Sequence, residues 1–412
     1  MRKYILSLLV VSCLSGVQAQ TRSNSDELLP EDTVEVRLPW PQNMQARLDT
    51  LLQDPLFERS QLGLLVYDLT ADSVLYRHGE KQTLRPASTM KLLTAVTALD
   101  CLGDDYQFRT SLRYTGAVED SVLVGDLYCV GGMDPMFDVR DMNAFVESVM
   151  RLGVHTIRGR LVAVTSFKEE PLLGEGWCWD DDNPQLTPLL VSKKDEFMRV
   201  FVDQLRAAGI TVDAPCTTGS LPKDALTICT RSHSLRDILV PMMKDSDNLY
   251  AESMFFQTAT TVGKQPVTAA HGRQAVKKTL GKAGVHDIQY RIADGSGLSL
   301  YNYVTPELMV KLLIYAYRKM SIFRELYPSL PIAGQDGTLK KRMVKSVANG
   351  RVKAKTGTVT GVTTLSGYCA SSNGHMLAFS IMNQGVLKIA EGRNFQDRVC
   401  EIMSDPNRYG TD

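Results

Sequence analysis

The sequence lacks an excess of charge of either sign. Lys and Arg total 46 and Asp and Glu total 46, which gives a formal net charge of zero at pH 7. Nucleic-acid-binding proteins usually carry a basic excess, so we expect no nucleic-acid partner. Apolar residues at 44% and charged residues at 22% lie close to globular averages. This composition excludes a disordered or collagen-like chain.

Cysteine is also sparse. Eight cysteines in 412 residues are too few for a fold held together by disulfides. The sequence leaves open a bridge between Cys216 and Cys229, and a buried apolar role is the default for the other thiols. No C-x-x-C pair or Cys/His cluster occurs. We therefore expect no metal site and no cofactor.

Long hydrophobic runs are absent, and the one apolar stretch of note lies at the N-terminus. Arg2 and Lys3 precede a mostly apolar segment at 4–14, and Ala19 ends a small-x-small site. A membrane-spanning helix needs about 20 apolar residues, and this segment is shorter. The pattern predicts a secretory signal peptide at residues 1–19, cleaved after Ala19, with no transmembrane anchor. Lipidation at Cys13 is the weaker alternative.

Hydrophobic periodicity divides the rest of the chain into a core and an insertion. Short strands separated by glycine-rich turns predict an inserted module at 110–189, which leaves 20–109 and 190–412 as the core. A helix is predicted at 86–99, and because it is apolar all round it is expected to be buried. Further helices are predicted at 235–258, 272–284, 306–319, 339–343 and 386–403. Strands are predicted at 351–355, 363–370 and 376–383, and Asn373-Gly374 indicates a hairpin turn.

The stretch Ser88-Thr89-Met90-Lys91 carries the first chemical signal. Residues three apart share one helical face, so the Lys91 amine can reach the Ser88 hydroxyl. Burial lowers the pKa of a lysine and can make a neutral amine available as a base. A second S-x-x-K copy begins at Ser220, but it contains Pro222 and lies in a predicted turn, where helical geometry is not possible.

Two further motifs follow in the chain. Ser246-Asp247-Asn248 offers a hydroxyl that can relay a proton and an amide that can bind a peptide, although these residue types also suit a helix N-cap. Lys355-Thr356-Gly357-Thr358 lies on a predicted strand that can pair with an extended peptide and hold its terminal carboxylate. An ordinary edge strand with a blocking lysine is the alternative.

The order S-x-x-K, S-x-N, K-T-G is the signature of penicillin-binding proteins and serine β-lactamases. Five further stretches, at 125–135, 176–181, 294–299, 330–339 and 355–368, resemble one family within that group. The chain is similar over nearly its whole mature length to the D-alanyl-D-alanine carboxypeptidase/endopeptidase family, which comprises the DacB/PBP4-like class C penicillin-binding proteins of peptidase family S13.

The resemblance implies an α+β fold. Its core would be β-lactamase/transpeptidase-like, an antiparallel sheet flanked by helices, with one smaller β-rich domain inserted. The resemblance also implies an acylated nucleophile, its general base, a proton donor to the leaving group, a group that holds the substrate backbone and a carboxylate-binding cation. Ser88 would be the nucleophile and Lys91 its base. Ser246 would donate the proton to the leaving group, Asn248 would hold the substrate backbone, and Lys355 would bind the carboxylate.

The same resemblance implies four substrate-binding residues, which are Thr356, Gly357, Thr358 and Asp181. The backbone N–H groups of Ser88 and Thr358 would form the oxyanion hole. The sequence departs from the family pattern at Leu186, Leu300 and Thr360, which surround the expected pocket for the stem-peptide side chain.

The implied function is a periplasmic serine peptidase acting on peptidoglycan peptides that end in D-Ala-D-Ala and on their cross-links. β-Lactams would acylate Ser88 as covalent inhibitors. A serine β-lactamase of class A is the rival enzyme, but its Glu-x-x-x-Asn motif does not occur here. A non-catalytic module that binds peptidoglycan or senses β-lactams is the rival of another class, and it would bind without releasing D-alanine.

Overall fold

The computed structural model describes residues 38–179, 183–213 and 215–406. The predicted signal peptide and Cys13 lie outside these residues. The α-helices in the described part are α1 (Gln42–Leu51), α2 (Lys91–Cys101), α3 (Val139–Arg151), α4 (Phe197–Ala207), α5 (Leu235–Lys244), α6 (Asn248–Ala259), α7 (Ala269–Lys282), α8 (Pro306–Arg318), α9 (Met320–Ser329) and α10 (Ile389–Ser404). No helix within these ranges has both the length and the apolar content to cross a membrane.

Fourteen strands accompany these helices in the described part of the chain. They are β1 (Gln61–Asp68), β2 (Ser73–His78), β3 (Gln107–Tyr114), β4 (Ala117–Glu119), β5 (Val122–Val124), β6 (Leu127–Val130), β7 (Thr156–Ile157), β8 (Leu161–Val164), β9 (Thr211–Val212), β10 (Cys216–Thr218), β11 (Leu226–Ser234), β12 (Val352–Val359), β13 (Val362–Ala370) and β14 (Met376–Gln384).

The core is built on a five-stranded antiparallel sheet in the order β12-β13-β14-β1-β2. Both faces of the sheet are covered, so its inner strands β13 and β14 are buried almost throughout rather than at alternate residues. Leu64 and Val66 point into a cluster with α1 and α10, whereas Leu65 points into a cluster with α2 and α8. The sheet flanked by helices confirms the predicted α+β core.

The predicted helix at 86–99 begins later than expected. Ala87–Met90 forms a 3₁₀ turn and α2 starts at Lys91. Ala87 has φ +46°, a left-handed conformation through which an α-helix of L-residues does not run. The prediction of burial is confirmed, because every residue of α2 from Lys91 to Leu99 is buried.

The predicted helix at 235–258 is two helices. The chain leaves α5 at Lys244 and re-enters α6 at Asn248, with Ser246 at φ +62° between them. Asp247 is the N-cap of α6, and its side chain accepts from the backbone N–H of Tyr250. The N-cap interpretation of this motif therefore holds for Asp247, and the break turns Ser246 out of the helix.

The other core predictions differ from the structure in two places. The predicted helix at 339–343 is a 3₁₀ turn at Gly337–Leu339, and α9 was not expected from the pattern. The hairpin turn at Asn373-Gly374 is confirmed, and Gly374 takes φ +88° there, a conformation that favours glycine.

The insertion contains two sheets, ordered β10-β8-β6-β3-β11 and β4-β5-β7-β9. Strands β9, β10 and β11 follow residue 189, yet they pair with β7, β8 and β3. The α4 side chains Phe197 and Phe201 pack on Phe145 of α3. The sheet pairing thus joins 197–234, which the sequence division assigns to the core, to the strands of the insertion.

The two cysteines whose pairing the sequence leaves open are both free thiols. Cys216 lies on β10 and Cys229 on β11, which form opposite edges of the same five-stranded sheet. At roughly 4.8 Å between neighbouring strands, these edges lie too far apart for a disulfide.

The N-cap assignment of Asp247 predicts how its substitution changes the stability of the protein. Asp247→Ala removes the bond from the Tyr250 N–H (3.1 Å) and the ion pair with Lys193 (2.6 Å). We expect the free energy of unfolding to fall by about 1 kcal/mol, measured by urea denaturation. Asp203→Ala, in an exposed ion pair on α4, should change it by less than about 0.5 kcal/mol. Equal effects of the two substitutions would contradict the cap assignment.

Candidate active site

Ser88 lies in the 3₁₀ turn that leads into α2, one residue after the left-handed Ala87. The loop at 294–299 presses against this turn at Gly297, which has φ +83°. A Cβ at Gly297 would lie 1.9 Å from the carbonyl oxygen of Ala87, so glycine alone permits the contact. The turn and the loop therefore fix the place of the Ser88 hydroxyl between them.

Lys91 is fully buried, with a relative exposure of 0%. Its Nζ atom lies 3.1 Å from Ser88 Oγ, 2.7 Å from Asn248 Oδ1 and 2.8 Å from the carbonyl oxygen of Ser296. The predicted pairing of Ser88 with Lys91 is thus present, and Asn248, the first residue of α6, meets the same amine. Three segments distant in sequence converge on one nitrogen atom.

Burial lowers the pKa of Lys91 to about 8, and the negative charges of Asp294, Glu252 and Asp247 oppose that shift. Desolvation disfavours the charged amine, while nearby carboxylates favour it. With this pKa, about one tenth of the amine is neutral at pH 7. A neutral amine in contact with a serine hydroxyl can accept its proton.

Ser246 and Lys355 form the second half of the site. Lys355 Nζ donates to Ser246 Oγ at 2.9 Å and to the carbonyl oxygen of Thr356 at 2.8 Å. Lys355 is fully buried, and desolvation, followed by repulsion from Lys91, holds its pKa well below the usual range. Both oxygens that accept from it are neutral, so an incoming carboxylate would stabilise its charged form.

Strand β12 carries the K-T-G stretch and forms an edge of the core sheet, as predicted. A Cβ at Gly357 would lie 2.2 Å from Thr364 Oγ1, 2.7 Å from the Pro86 carbonyl oxygen and 2.9 Å from the Ser88 nitrogen. The glycine therefore lets the edge strand lie directly against the Ser88 turn. Residues 331–333 already pair with the first part of β12, at 352–354. The remaining edge, at 355–359, can add an extended peptide beside Ser88.

The two threonines that flank Gly357 have their own hydroxyl partners. Thr356 Oγ1 donates to Thr338 Oγ1 at 2.8 Å. Thr358 is exposed, and its Oγ1 accepts from Arg393 of α10 at 3.2 Å. Both hydroxyls thus already have a hydrogen-bond partner on the outer side of β12.

Two buried carboxylates were missed by sequence reasoning. Glu252, 1% exposed, accepts from the backbone N–H groups of Gly295 and Ser296, and burial raises its pKa. Asp294 accepts from the N–H groups of Gly297 and Ser299. The sequence features that could have identified them are the position of Glu252, one helical turn after Asn248, and the position of Asp294, at the start of a loop rich in glycine and serine. Together they hold the loop whose Ser296 carbonyl meets Lys91.

The residues expected near the stem-peptide side chain are only partly brought together in the described structure. Arg85 contacts the Leu300 carbonyl oxygen and lines a cavity with Thr360. Asp181 lies outside the described residues. Leu186 is buried in the core cluster, whereas Leu300 and Thr360 are exposed. Within the described ranges, no group of three or more His, Cys, Asp or Glu side chains is placed to hold a metal ion.

The tight contact at Gly357 yields a prediction. Gly357→Ala should slow labelling by a fluorescent penicillin at least about tenfold and lower the free energy of unfolding by about 1 to 3 kcal/mol, because a methyl group displaces β12 from the Ser88 turn. Gly281→Ala is the matched control, since its Cβ meets nothing within 4 Å. The control should label normally. Normal labelling of Gly357→Ala would contradict the contact.

Comparison with known proteins places this site in context. A family model described as the D-Ala-D-Ala carboxypeptidase 3 (S13) family matches residues 44–192 and 185–405. A D-alanyl-D-alanine carboxypeptidase from Actinomadura sp. (strain R39) is 30% identical over 438 residues, covering 82% of this chain and 80% of that protein. The D-alanyl-D-alanine carboxypeptidase DacB of Haemophilus influenzae is 26% identical over 413 residues, covering 80% of this chain and 86% of that protein.

A solved structure agrees with the fold. The crystal structure of penicillin binding protein 4 (dacB) from Haemophilus influenzae superposes with a TM-score of 0.79 at 24% identity, covering 85% of this chain and 97% of that chain. The predicted fold class and family resemblance are confirmed. The chain belongs to the D-Ala-D-Ala carboxypeptidase 3 (S13) family.

Proposed function

We propose that this protein is a serine-type D-alanyl-D-alanine carboxypeptidase/endopeptidase. It cleaves peptidoglycan stem peptides and cross-links through an acyl-enzyme on Ser88, and penicillin-type β-lactams inhibit it by acylating the same residue. Family membership supports the reaction class. The single observation that carries the proposal is the buried Lys91 amine, 3.1 Å from the Ser88 hydroxyl.

Acylation begins with proton transfer from Ser88. The neutral fraction of Lys91 accepts the hydroxyl proton, and Ser88 Oγ attacks the carbonyl carbon of the acyl D-alanine. The backbone N–H groups of Ser88 and Thr358 bind the oxygen on which charge develops. The approach of β12 to the Ser88 turn at Gly357 supports this pairing of donors.

Departure of the terminal D-alanine requires a proton on its nitrogen. Ser246 supplies it from its hydroxyl, which already lies 2.9 Å from Lys355 Nζ. The proton that Lys91 accepted from Ser88 replaces the one that Ser246 gives up, which leaves Lys91 neutral again. Lys355 and Thr356 bind the carboxylate of the same residue, and Asn248 holds the substrate backbone.

Water then attacks the acyl carbonyl and gives a proton to Lys91. The Ser88 ester bond breaks, the Ser88 oxygen takes that proton back, and the shortened peptide leaves with a free carboxylate. When the leaving group is the amine of a second, cross-linked stem peptide instead of D-alanine, the same steps give the endopeptidase reaction.

The enzyme acts outside the cytoplasm. Its substrate is cell-wall peptidoglycan, and the N-terminal pattern of Arg2, Lys3, an apolar segment and Ala19 supports export with cleavage of residues 1–19. Lipidation at Cys13 is the alternative form of the exported protein. Asp181 belongs to the proposed substrate-binding residues on the strength of the family pattern alone.

The nucleophile is tested by substitution. Ser88→Ala should release no D-alanine from a pentapeptide ending in D-Ala-D-Ala and should retain no labelled penicillin, because no hydroxyl remains to be acylated. Ser220→Ala, in the second S-x-x-K copy, is the matched control and should behave as wild type. D-alanine is measured by a coupled oxidase assay. Labelling that persists in Ser88→Ala would overturn the assignment.

The base is tested by pH dependence. Because Lys91 must be neutral to accept the proton and its pKa is about 8, the penicillin acylation rate should rise about tenfold per pH unit below 8 and level off above it. Stopped-flow measurement between pH 6 and 9.5, with tryptophan fluorescence as a check that the protein stays folded, gives the profile. A flat profile would exclude Lys91 as the base.

A further inference from the structure

A cavity of about 490 Å³ opens at the end of the core sheet, beside the turn between β12 and β13. Its lining includes two arginines and comes from four separate parts of the chain. The side chains used below are Arg59, Arg85, Thr360 and Gln384. Sequence reasoning assigned no role to either arginine.

The described lining residues of the cavity include two arginines and no acidic residue. Arg85 Nε donates to the carbonyl oxygen of Leu300 at 3.2 Å, and its guanidinium lies 5.7 Å from the ring centre of Tyr303. Both partners are neutral. Within the described residues no ion pair joins Arg59 or Arg85 to a carboxylate. The positive charge of this cavity is therefore not balanced locally.

Arg85 is also held where it is by its backbone. Its N–H donates to Gln384 Oε1 at 3.1 Å, and Gln384 Nε2 reaches Gln61 Oε1 at 3.4 Å. The chain then runs through Pro86 and Ala87 directly to Ser88. The cavity is thus anchored three residues from the proposed nucleophile.

The path of a bound peptide leads into this cavity. In the proposed mechanism the terminal carboxylate lies at Lys355 and Thr356, and the acyl carbonyl lies at Thr358. The peptide therefore runs antiparallel to β12, and its preceding residues continue toward Thr360. At about 3.3 Å per residue, the substrate residue opposite Thr360 is two positions before the acyl D-alanine.

We propose that the Arg59/Arg85 cavity binds a carboxylate carried by the substrate residue two positions before the acyl D-alanine. This inference rests on the proposed function and adds to it a preference for an acidic stem peptide. The planar guanidinium matches a carboxylate with two parallel hydrogen bonds. Contacts remote from the scissile bond can raise the rate by positioning the reacting carbonyl.

The test compares two pentapeptides with the mature protein. Both end in Lys-D-Ala-D-Ala, and the residue before Lys is D-Glu with one free carboxylate in the first peptide and D-Gln in the second. Wild type should cleave the D-Glu peptide with a kcat/KM about fivefold higher, as expected for a partly exposed ion pair. The ratio should shrink toward one at 0.5 M NaCl, because salt screens the pair.

Substitutions assign the effect to the cavity. Arg85→Gln and Arg59→Gln should each lower the D-Glu/D-Gln ratio, and the double variant should bring it close to one. Arg85→Lys keeps the charge and should retain part of the preference. Arg158→Gln, on the exposed surface of the insertion, is the matched control and should keep the wild-type ratio. Penicillin labelling of each preparation gives the amount of folded enzyme.

The outcomes separate this inference from the proposed function. A wild-type ratio near one, or a ratio unchanged in the double variant, overturns the carboxylate subsite while D-alanine release leaves the peptidase assignment standing. Release of D-alanine from neither peptide by wild type overturns the proposed function, and the subsite falls with it.

Discussion

The burial of one lysine amine is the constraint on which the rest of the site depends. Lys91 is removed from water entirely, a state that costs several kcal/mol for a charged group unless oxygen atoms surround it. The oxygens come from the Ser88 turn, from Asn248 at the start of α6 and from the Ser296 carbonyl. Satisfying this amine therefore requires three distant segments to meet, and the same meeting assembles the proposed catalytic groups.

The second buried lysine, Lys355, determines the orientation in which a substrate peptide would bind. Lys355 repels Lys91 and lacks a charged acceptor among the two oxygens that it contacts. Such an arrangement is best completed by a substrate carboxylate, which places the end of the peptide next to Ser246 and its acyl carbonyl next to Ser88. The basic cavity beyond Thr360 lies on the opposite side of that carbonyl. In the proposed complex, Lys355 thus lies on one side of the scissile bond and the Arg59/Arg85 cavity on the other. The Lys91 amine, which must be neutral to accept a proton, lies between them.

The motif residues and the main core elements could be predicted from the sequence because their signals are local. Ser88 and Lys91 lie three residues apart, and Lys355 lies in a segment whose apolar residues predict a strand. The break at Ser246 was not predicted, because the apolar stretches on either side were joined into one helix. The polar run at 244–248, whose residue types suit a helix N-cap, was the available signal. Glu252 was missed because its backbone partners, Gly295 and Ser296, lie more than 40 residues further along the chain. The backbone partners of Asp294 are local, but nothing in the loop sequence indicates that Asp294 is buried. The pairing of β9, β10 and β11 with the insertion depends on long-range contacts. It could not be predicted, because β9 and β10 have only two and three residues and β11 is largely polar.

The central claim is that an acyl bond forms on Ser88. Mass spectrometry of the protein treated with benzylpenicillin, intact and then after proteolysis, tests it most directly. The account predicts a single adduct with the mass of the whole inhibitor on the peptide that contains Ser88, and its loss as the acyl-enzyme hydrolyses. An adduct on any other residue, or no adduct on folded protein, would contradict the account.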